Sequence, residues 1–378
     1  MTKIDFIYFD AGGGHRAAAT ALKAVIEQQR RPWEVRMVHL QELLDSLDIF
    51  RKVTGVRLQD VYNKMLAKGW TMGAEPGLKL MHAIIRMYHD PGVNLLKEHF
   101  TSSRPDMVVS LVPNFNRALH QSLRATDPHA PFVTILTDFA DHPPRFWMEK
   151  QEQVLICGTQ KAVEQARAMG HGEDVVFRVS GMVLRPKFYE VITADQRIER
   201  ERLGLDPDLP TGLVLFGGHG SHAMLDIARR LKGTQLILLC GRNQILAEKL
   251  RALPSSVPKF VEGFTSEIPY YMHLADFFIG KPGPGSISEA VAMKLPVIVE
   301  RNARTLPQER YNADWVREHR AGIVLESFHD IAPAAHRMIR DLESFRANVA
   351  KIKNRAVYEI PEILEGVLRK SEGKTTSF

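Results

Sequence analysis

The distribution of apolar positions along the chain predicts strands and helices in alternation. In the first part, short apolar or β-branched runs predict strands at residues 3–9, 35–40, 107–112, 132–137, 154–157 and 175–179. Amphipathic stretches between them predict helices, as at residues 15–29 and 160–169. After a stretch rich in proline and charge, strands are again predicted at residues 212–216, 236–240, 259–261, 276–279 and 296–299. This alternation is typical of parallel sheets with helices on both faces. It predicts an α/β protein with two Rossmann-like halves.

The length of the chain agrees with two domains. Its 378 residues exceed the roughly 250 to 300 at which a single hydrophobic core stops growing. We expect an N-terminal domain over residues 1–185 and a C-terminal domain over residues 186–345. Residues 346–378 are expected to form helices that return to the N-terminal domain, with a disordered tail from residue 371.

Composition and cysteine usage narrow the class of protein. The chain is 44% hydrophobic and 25% charged, as globular proteins are. Its two cysteines, Cys157 and Cys240, lie in apolar runs far apart, which indicates buried thiols in a reducing compartment rather than a disulfide or a metal site. No apolar run approaches the roughly 20 residues that span a bilayer, and the N-terminus lacks the pattern of a signal peptide. We therefore expect a cytoplasmic protein that does not span a membrane.

The basic charge is concentrated in one segment. The formal net charge is +6, and residues 51–100 alone carry eight Lys or Arg against four Asp or Glu. Apolar residues recur there at helical spacing between 56 and 66 and between 81 and 88. Basic amphipathic helices of this kind lie on anionic membranes, although a helix that packs on its own sheet gives the same pattern. A pI near 9.2 also suggests nucleic-acid binding as a function. The Met and Tyr residues of the basic segment do not favour that function.

Two strand–glycine–helix turns stand out. Gly12, Gly13 and Gly14 follow the first strand and precede His15, and Gly217-Gly218-His219-Gly220 follows the first strand of the second half. Such turns present free backbone N–H groups and the positive end of a helix dipole, which suit an anion or a polar head group. Neither turn matches the dinucleotide or P-loop pattern, and a tight packing turn is the alternative for each. One turn per domain predicts that the two face each other across an interdomain cleft.

A third glycine-rich segment is more specific. Residues 280–290 read Gly-Lys-Pro-Gly-Pro-Gly-Ser-Ile-Ser-Glu-Ala. Ser286 and Glu289 fit a capping box at a helix start. Glu289 either only caps that helix or uses its carboxylate to accept hydrogen bonds from vicinal hydroxyls such as those of a ribose.

These motifs together resemble, in order and spacing, the monogalactosyldiacylglycerol synthase family of glycosyltransferases. The resemblance runs from about residue 4 to about residue 345 and is carried by residues 12–15, 217–220, 240–243, 263–265, 281–285 and Glu289. The peptidoglycan lipid I N-acetylglucosaminyltransferase is a more distant relative. The resemblance implies a GT-B fold, a UDP-sugar donor, a membrane lipid acceptor, and neither a metal nor another cofactor.

The resemblance also assigns the donor side. It implies that the backbone of Gly263, Phe264 and Thr265 holds the uracil, and that Glu289 takes the ribose hydroxyls. The residues implied around the diphosphate are Gly217, Gly218, Gly220, Gly285, Ser286 and Arg185, of which Arg185 could instead be a surface charge of the linker. Gln308 and Glu309 fall where the family contacts the sugar, but residues 306–312 depart from the family's pattern, so the sugar is left open.

On the acceptor side, the resemblance implies that Gly12, Gly13 and Gly14 face the acceptor and that His15 lies close to the reacting hydroxyl as a candidate catalytic base. The alternative is that His15 is only a polar residue of the first helical turn. Asp138, in a Thr-Asp-Phe stretch that resembles the family's Thr-Asp-Leu, either orients His15 or is itself the base. Trp147 is either a contact for the lipid or simply packed.

The function that follows is a peripheral enzyme on the cytoplasmic face of a membrane. It would move a hexose from a UDP-sugar to a lipid, diacylglycerol in the first place, with inversion to a β-glycoside. The alternatives are a UDP-sugar 2-epimerase, a glycosyltransferase for a soluble or polyprenyl acceptor, and a protein that binds nucleotide or anionic lipid without catalysis.

Overall fold

The structure is a computed structural model, and it describes residues 1–10, 14–44, 89–303 and 305–375. Within these ranges the chain divides into two units. The first comprises residues up to 186 together with those from 354 onward, and the second comprises residues 187–353. Gly12, Gly13 and the basic amphipathic segment from residue 51 to residue 88 lie outside the described residues.

The first unit contains a six-stranded parallel sheet. Its strands are β1 (Thr2–Tyr8), β2 (Trp33–His39), β3 (Met107–Ser110), β4 (Phe132–Ile135), β5 (Val154–Cys157) and β6 (Val176–Arg178), in the order β2-β1-β3-β4-β5-β6. Its helices include α1 (Gly14–Gln28), α2 (Leu40–Leu44), α3 (His89–Ser103), α4 (Asn116–Thr126) and α5 (Gln160–Met169). Every residue of β3 and β4 is buried, so both faces of the sheet are covered at these two strands.

Helix α1 shows why this sequence folds onto the sheet. Ala18, Leu22, Val25 and Ile26 recur at helical spacing and are all buried, so one apolar stripe of the helix is removed from water. Full burial of a Leu, Val or Ile side chain contributes about 1.5–3 kcal/mol each.

The second unit repeats the architecture. Its strands are β7 (Thr211–Leu215), β8 (Gln235–Leu239), β9 (Lys259–Glu262), β10 (Phe277–Gly280), β11 (Val297–Glu300) and β12 (Gly322–Leu325), all parallel, in the order β12-β11-β10-β7-β8-β9. The helices include α6 (Gln196–Arg202), α7 (Ala223–Arg230), α8 (Gln244–Ala252), α9 (Ile268–His273), α10 (Pro284–Ala292), α11 (Arg310–Glu318), α12 (Ile331–Arg340) and α13 (Leu342–Lys351). The prediction of an α/β fold with two Rossmann-like domains is confirmed, although the edge strand β12 was not predicted.

A last helix, α14 (Ala356–Thr375), belongs to the first unit. It packs against α1, and Arg31 forms ion pairs with Glu362 and, at 2.9 Å, with Glu365. Because α14 continues to Thr375, residues 371–375 are helical where the sequence predicted a disordered tail. Among the described residues, no helix is both long enough and apolar enough to cross a bilayer.

The strand orders locate a crevice in each unit. In the first unit the connections leave β1 in opposite directions, to β2 on one side and to β3 on the other. In the second unit the same reversal falls between β7 and β10. Open parallel sheets bind ligands at the carboxyl ends of the strands at such switch points. The residues after β1, β3, β7 and β10 are therefore the first place to look for function.

Candidate functional site

The switch point of the first unit contains His15. This residue is the second of α1, directly after the β1 turn, and its Nδ1 lies 3.0 Å from Oγ1 of Thr137, which follows β4. The carbonyl of Leu111, directly after β3, is a further hydrogen-bonding group at the ring. The sheet thus brings together groups that follow three different strands, although His15 and Thr137 are 122 residues apart in sequence.

Burial sets the protonation state of His15. Desolvation lowers the pKa of the imidazole from 6.5 to about 4, and the hydrogen bond with the Leu111 carbonyl only partly counters this. His15 is therefore neutral at physiological pH, which is the form that can accept a proton. Gly14 precedes it at an exposed position where an added Cβ would meet nothing within 4 Å, so the surface beside His15 is open at this point.

Asp138 is held by Trp147. The carboxylate is buried, and its Oδ2 accepts a hydrogen bond of 2.8 Å from the indole Nε1 of Trp147. The orienting bond to His15 comes from Thr137, the residue before Asp138. The indole is fully buried and packs on the imidazole at a centroid distance of 5.7 Å. This placement gives no support to a direct contact between Trp147 and an acceptor lipid.

A second carboxylate, Asp141, fixes the loop that carries Trp147. Its two oxygens accept backbone N–H bonds from Trp147 at 2.6 Å and from Arg145 at 2.9 Å. Burial raises the pKa of this carboxyl, and the N–H bonds of the loop oppose the rise. A carboxylate that collects several backbone donors in one loop fixes the conformation of that loop. The sequence motif contained Asp141, but nothing in it distinguished the role of this residue from that of Asp138.

The glycines of the second unit are required by its backbone. Gly217, Gly220 and Gly241 have φ angles of 76°, 62° and 58°, a region that L-residues other than glycine rarely adopt. A Cβ on Gly241 would lie 2.3 Å from the Gly218 carbonyl, and one on Gly220 would lie 2.8 Å from the Cys240 carbonyl. Gly218 itself has open space where a Cβ would be. The loop after β7 is therefore folded tightly against the loop after β8 and leaves Gly218 accessible.

The proline–glycine segment after β10 begins a helix earlier than predicted. Helix α10 begins at Pro284, its N-cap is Gly283, and no side chain caps it. The predicted capping box of Ser286 and Glu289 is wrong because proline, which has no N–H and a preset φ, is favoured at the first helical position. Glu289 lies in the second turn, partly buried.

This start leaves backbone N–H groups of the first helical turn at the switch point. The backbone N–H groups of Gly285 and Ser286 fall among the first of the helix, which have no intrahelical acceptor. A Cβ on Gly285 would meet nothing within 4 Å. These two N–H groups, at the positive end of the helix dipole, are suited to an anionic ligand.

Next to this helix start lies a pair of charged side chains. Lys281 Nζ and Glu309 Oε1 are 3.0 Å apart, and Glu309 is buried. Asn312, fully buried, donates its Nδ2 to the Pro282 carbonyl at 2.8 Å. Among the described residues, neither Oδ1 of Asn312 nor Oε1 of Gln308 has a hydrogen-bond partner, although both atoms are buried. Buried acceptors without donors are costly and uncommon, so two are available here for ligand hydroxyls.

The residues assigned to the uracil lie after β9. The N–H of Gly263 donates to the Glu262 carboxylate at 2.7 Å. Phe264 is 63% exposed, and the Arg242 guanidinium lies 5.0 Å from its ring centroid. Thr265 accepts the N–H of Glu267 at 3.0 Å. The exposed ring and the cation on it form a platform on which a flat heterocycle can stack.

Arg185 lies at the end of the first unit, partly buried, directly before Pro186.

The two cysteines are free and buried, and burial raises the pKa of Cys157 to about 12 and that of Cys240 to about 11. Thiols with such pKa values are not nucleophiles at neutral pH. In the part of the chain that the structure describes, no group of three or more His, Cys, Asp or Glu side chains is placed to hold a metal ion.

Comparisons with known proteins match a glycosyltransferase family model to each half of the chain. Residues 15–183 match the family model for monogalactosyldiacylglycerol (MGDG) synthase, and residues 213–356 match that for the C-terminal domain of glycosyltransferase family 28. Monogalactosyldiacylglycerol synthase 1 of Arabidopsis thaliana is 26% identical over 406 residues, which cover 97% of this chain and 71% of that protein.

Two solved structures share the fold. MurG of Acinetobacter baumannii has a TM-score of 0.63 at 13% identity, with 97% of this chain and 100% of that chain covered. A protein described as a UDP-N-acetylglucosamine 2-epimerase from Listeria monocytogenes has a TM-score of 0.59 at 16% identity, with 100% and 98% covered. At these identities the likeness shows the fold alone.

Proposed function

We propose that this chain, whose two halves match the family models for monogalactosyldiacylglycerol synthase and for the C-terminal domain of glycosyltransferase family 28, moves a hexose from a UDP-sugar to a membrane lipid. Diacylglycerol is the proposed acceptor and a β-glycoside the product. Since the relative from Arabidopsis is named for galactose and diacylglycerol, UDP-galactose is the first donor to test. The observation that carries the proposal is a neutral histidine at the switch point of the first unit.

The proposed reaction is a single displacement. The acceptor hydroxyl oxygen forms a bond to the anomeric carbon while its proton passes to His15. The bond from the anomeric carbon to the diphosphate oxygen breaks, and its electron pair leaves with UDP. Attack from the side opposite the leaving group inverts the configuration. The lowered pKa of His15 keeps the imidazole able to accept that proton at neutral pH.

The donor side supports the same reaction. We assign the diphosphate to the glycine loop of Gly217, Gly218 and Gly220 and to the first-turn N–H groups of Gly285 and Ser286, with Arg185 as a guanidinium partner. Charge-assisted bonds of this kind stabilise a departing phosphate. We assign the ribose to Glu289 and the uracil to residues 263–265. Gln308 and Glu309, the latter paired with Lys281, are assigned to the sugar hydroxyls, for which the unpartnered Gln308 Oε1 is a suitable acceptor.

Asp138 is the second candidate base. Its carboxylate lies in the same motif as Thr137, but its Oδ2 accepts the indole N–H of Trp147, whereas the Thr137 hydroxyl lies at the imidazole. His15 is therefore the stronger assignment. Gly12 and Gly13, together with Gly14, are proposed to let the polar head of the acceptor approach the backbone.

We further propose that the enzyme works as a peripheral protein on the cytoplasmic face of an anionic membrane. The supporting feature is the basic excess of residues 51–100, because clustered Lys and Arg beside apolar side chains bind anionic lipid surfaces.

A UDP-sugar 2-epimerase is the second candidate, favoured by the shared fold of the Listeria protein. An epimerase requires no acceptor, whereas the proposed transferase releases UDP stoichiometrically with a glycolipid. The two functions therefore differ in whether turnover depends on lipid.

The test is UDP release by the purified protein from a panel of UDP-sugars. Each donor is offered with anionic vesicles that contain or lack diacylglycerol, and the lipid products are resolved by mass spectrometry and their anomeric configuration by NMR. We expect release that requires diacylglycerol and yields a β-glycosylated lipid. No glycolipid from any donor would refute the proposal, and sugar isomerisation without acceptor would establish the epimerase.

Two variants make the test residue-specific. His15→Gln is expected to lower kcat by about 10²- to 10⁴-fold, the usual contribution of a general base. His129→Gln is the matched control, because His129 is an exposed histidine of the same unit, in the loop after α4. Equal kcat values for the two variants would show that His15 is not the base.

A further inference from the structure

A histidine that acts as a base must keep one particular ring nitrogen free of its proton. Neutral imidazole carries a single N–H, on either Nδ1 or Nε2, and the hydrogen bonds around the ring decide which. For His15 the observed side-chain hydrogen bond is at Nδ1, with the Thr137 hydroxyl at 3.0 Å. Among the described residues, no side chain hydrogen-bonds to Nε2, which makes Nε2 the nitrogen that a substrate could meet.

Among the described residues, few groups face the ring. Besides Thr137 they are the Leu111 carbonyl, which can only accept and so also favours a protonated ring nitrogen, and the Trp147 ring at 5.7 Å. The charged groups nearest along the chain, Asp10 and Arg16, pair with each other at 3.0 Å. Asp138 accepts the indole N–H of Trp147. Among the described residues, Thr137 is thus the side chain that hydrogen-bonds to this imidazole.

A threonine suits this position for two physical reasons. Its hydroxyl can both accept and donate hydrogen bonds. Oγ1 can therefore accept a hydrogen bond from Nδ1–H of the ring and donate one to water, because Thr137 is partly exposed. Its branched Cβ restricts χ1, and the residue lies two positions after the end of the buried strand β4, so the position of the hydroxyl is restricted.

We propose that Thr137 is a positioning residue for His15. Its Oγ1 accepts a hydrogen bond from Nδ1–H and thereby keeps the free lone pair of the neutral imidazole on Nε2. This inference rests on the proposed function, in which Nε2 takes the proton of the acceptor hydroxyl as the oxygen attacks the anomeric carbon. His15 ends the step as an imidazolium with protons on both nitrogens, and the electron pair of the broken bond leaves with UDP. The Nδ1–H···Oγ1 bond persists throughout.

The tautomer is measured without any turnover. Protein labelled with ¹⁵N at histidine is examined at pH 7 by NMR, in which a protonated ring nitrogen and a bare one have well-separated chemical shifts. The His15 signals are identified by their loss in His15→Gln. We expect wild-type His15 to be protonated at Nδ1 and bare at Nε2. Protonation at Nε2 in the wild type would overturn the proposal.

Three variants complete the test. Thr137→Val keeps the shape but removes the hydroxyl, and Thr137→Ser keeps the hydroxyl. Thr101→Val, on the exposed face of α3, is the matched control for loss of a threonine hydroxyl. Because one hydrogen bond is worth a net factor of about 2 to 10, Thr137→Val is expected to shift the tautomer ratio and lower kcat by about that factor. Its KM for the acceptor should stay unchanged, Thr137→Ser should restore the Nδ1–H tautomer, and Thr101→Val should behave as the wild type.

The outcomes separate the inference from the function. If Thr137→Val raises KM while the tautomer stays unchanged, Thr137 binds the acceptor and the proposal fails although the enzyme is a transferase. If the tautomer shifts in Thr137→Val but no glycolipid is formed even by the wild type, the positioning is real and the proposed function is wrong. Circular dichroism of each variant excludes unfolding as the cause.

Discussion

The desolvated environment of the His15 imidazole predicts a defined loss of stability in mild acid. Its pKa is about 4 in the folded protein, because desolvation disfavours the imidazolium, against 6.5 for the free side chain. A group with a depressed pKa contributes stability that is fully present above 6.5 and is lost as the pH falls toward the folded value. Between those two pH values the unfolded chain binds a proton at residue 15 that the folded protein does not bind.

The magnitude follows from the two pKa values. Integrating proton uptake for values of 6.5 and about 4 gives a loss of about 2 kcal/mol at pH 5 and almost none at pH 7. The side chain is only partly buried by surface area, so solvent screening makes about 1–2 kcal/mol the expected range at pH 5.

The assay compares the wild type with His15→Gln, which cannot titrate at this position. Urea unfolding of both proteins at pH 7 and pH 5 gives the pH-dependent change for each, and the difference between those changes cancels every other titrating group. We expect the wild type to lose about 1–2 kcal/mol more than the variant. His129→Gln, at an exposed site, should follow the wild type. Equal losses in wild type and His15→Gln would show that burial does not depress the pKa of His15.

Two further substitutions test the second unit. Gly241→Ala should destabilise by about 1–3 kcal/mol more than Gly204→Ala in thermal unfolding and should weaken UDP binding in calorimetry. Both glycines have positive φ, but only at Gly241 would a Cβ meet the Gly218 carbonyl at 2.3 Å; equal effects would show that the loop after β7 adjusts freely. Lys281→Met should raise KM for the UDP-sugar and cost about 1–3 kcal/mol of stability by leaving the Glu309 carboxylate buried without its cation. Lys187→Met, which breaks the exposed pair with Glu267, should cost no more than about 1 kcal/mol, and a similar cost for both would show that the buried Glu309 carboxylate does not depend on Lys281.

Local signals explain what the sequence predicts correctly. The strands of both sheets were recognisable because buried parallel strands are continuous apolar runs, such as residues 107–110 and 236–239, whose side chains are almost entirely buried. Strand β12 was not predicted although it reads Gly-Ile-Val-Leu, and all four of its residues are only partly buried at the sheet edge. Helix α10 begins at Pro284, earlier than Ser286 and Glu289 indicated, because proline is favoured at the first position of a helix.

Long-range pairings explain what the sequence does not predict. Alternating strands and helices define a parallel sheet but not the order of its strands. It is the order β2-β1-β3-β4 that brings the end of β4, and with it Thr137, to His15. Likewise, the sequence contains Lys281 and Glu309 as separate residues, and only the fold of the second unit pairs them.

The same reasoning separates two kinds of site residue in this chain. Glycines such as Gly217 and Gly220 can be found from sequence because their backbone conformation is a local requirement, and the structure shows it as positive φ. Thr137 and Asp138 occupy adjacent positions in one motif, yet one bonds to His15 and the other to Trp147. Successive residues of an extended chain point in opposite directions, so adjacency in the motif implies different partners rather than a shared one. The assignment of a base from a motif therefore depends on the partners of its ring nitrogens and carboxylate oxygens. Here the Thr137 hydroxyl lies at Nδ1 of the imidazole, and Oδ2 of Asp138 accepts the indole N–H of Trp147.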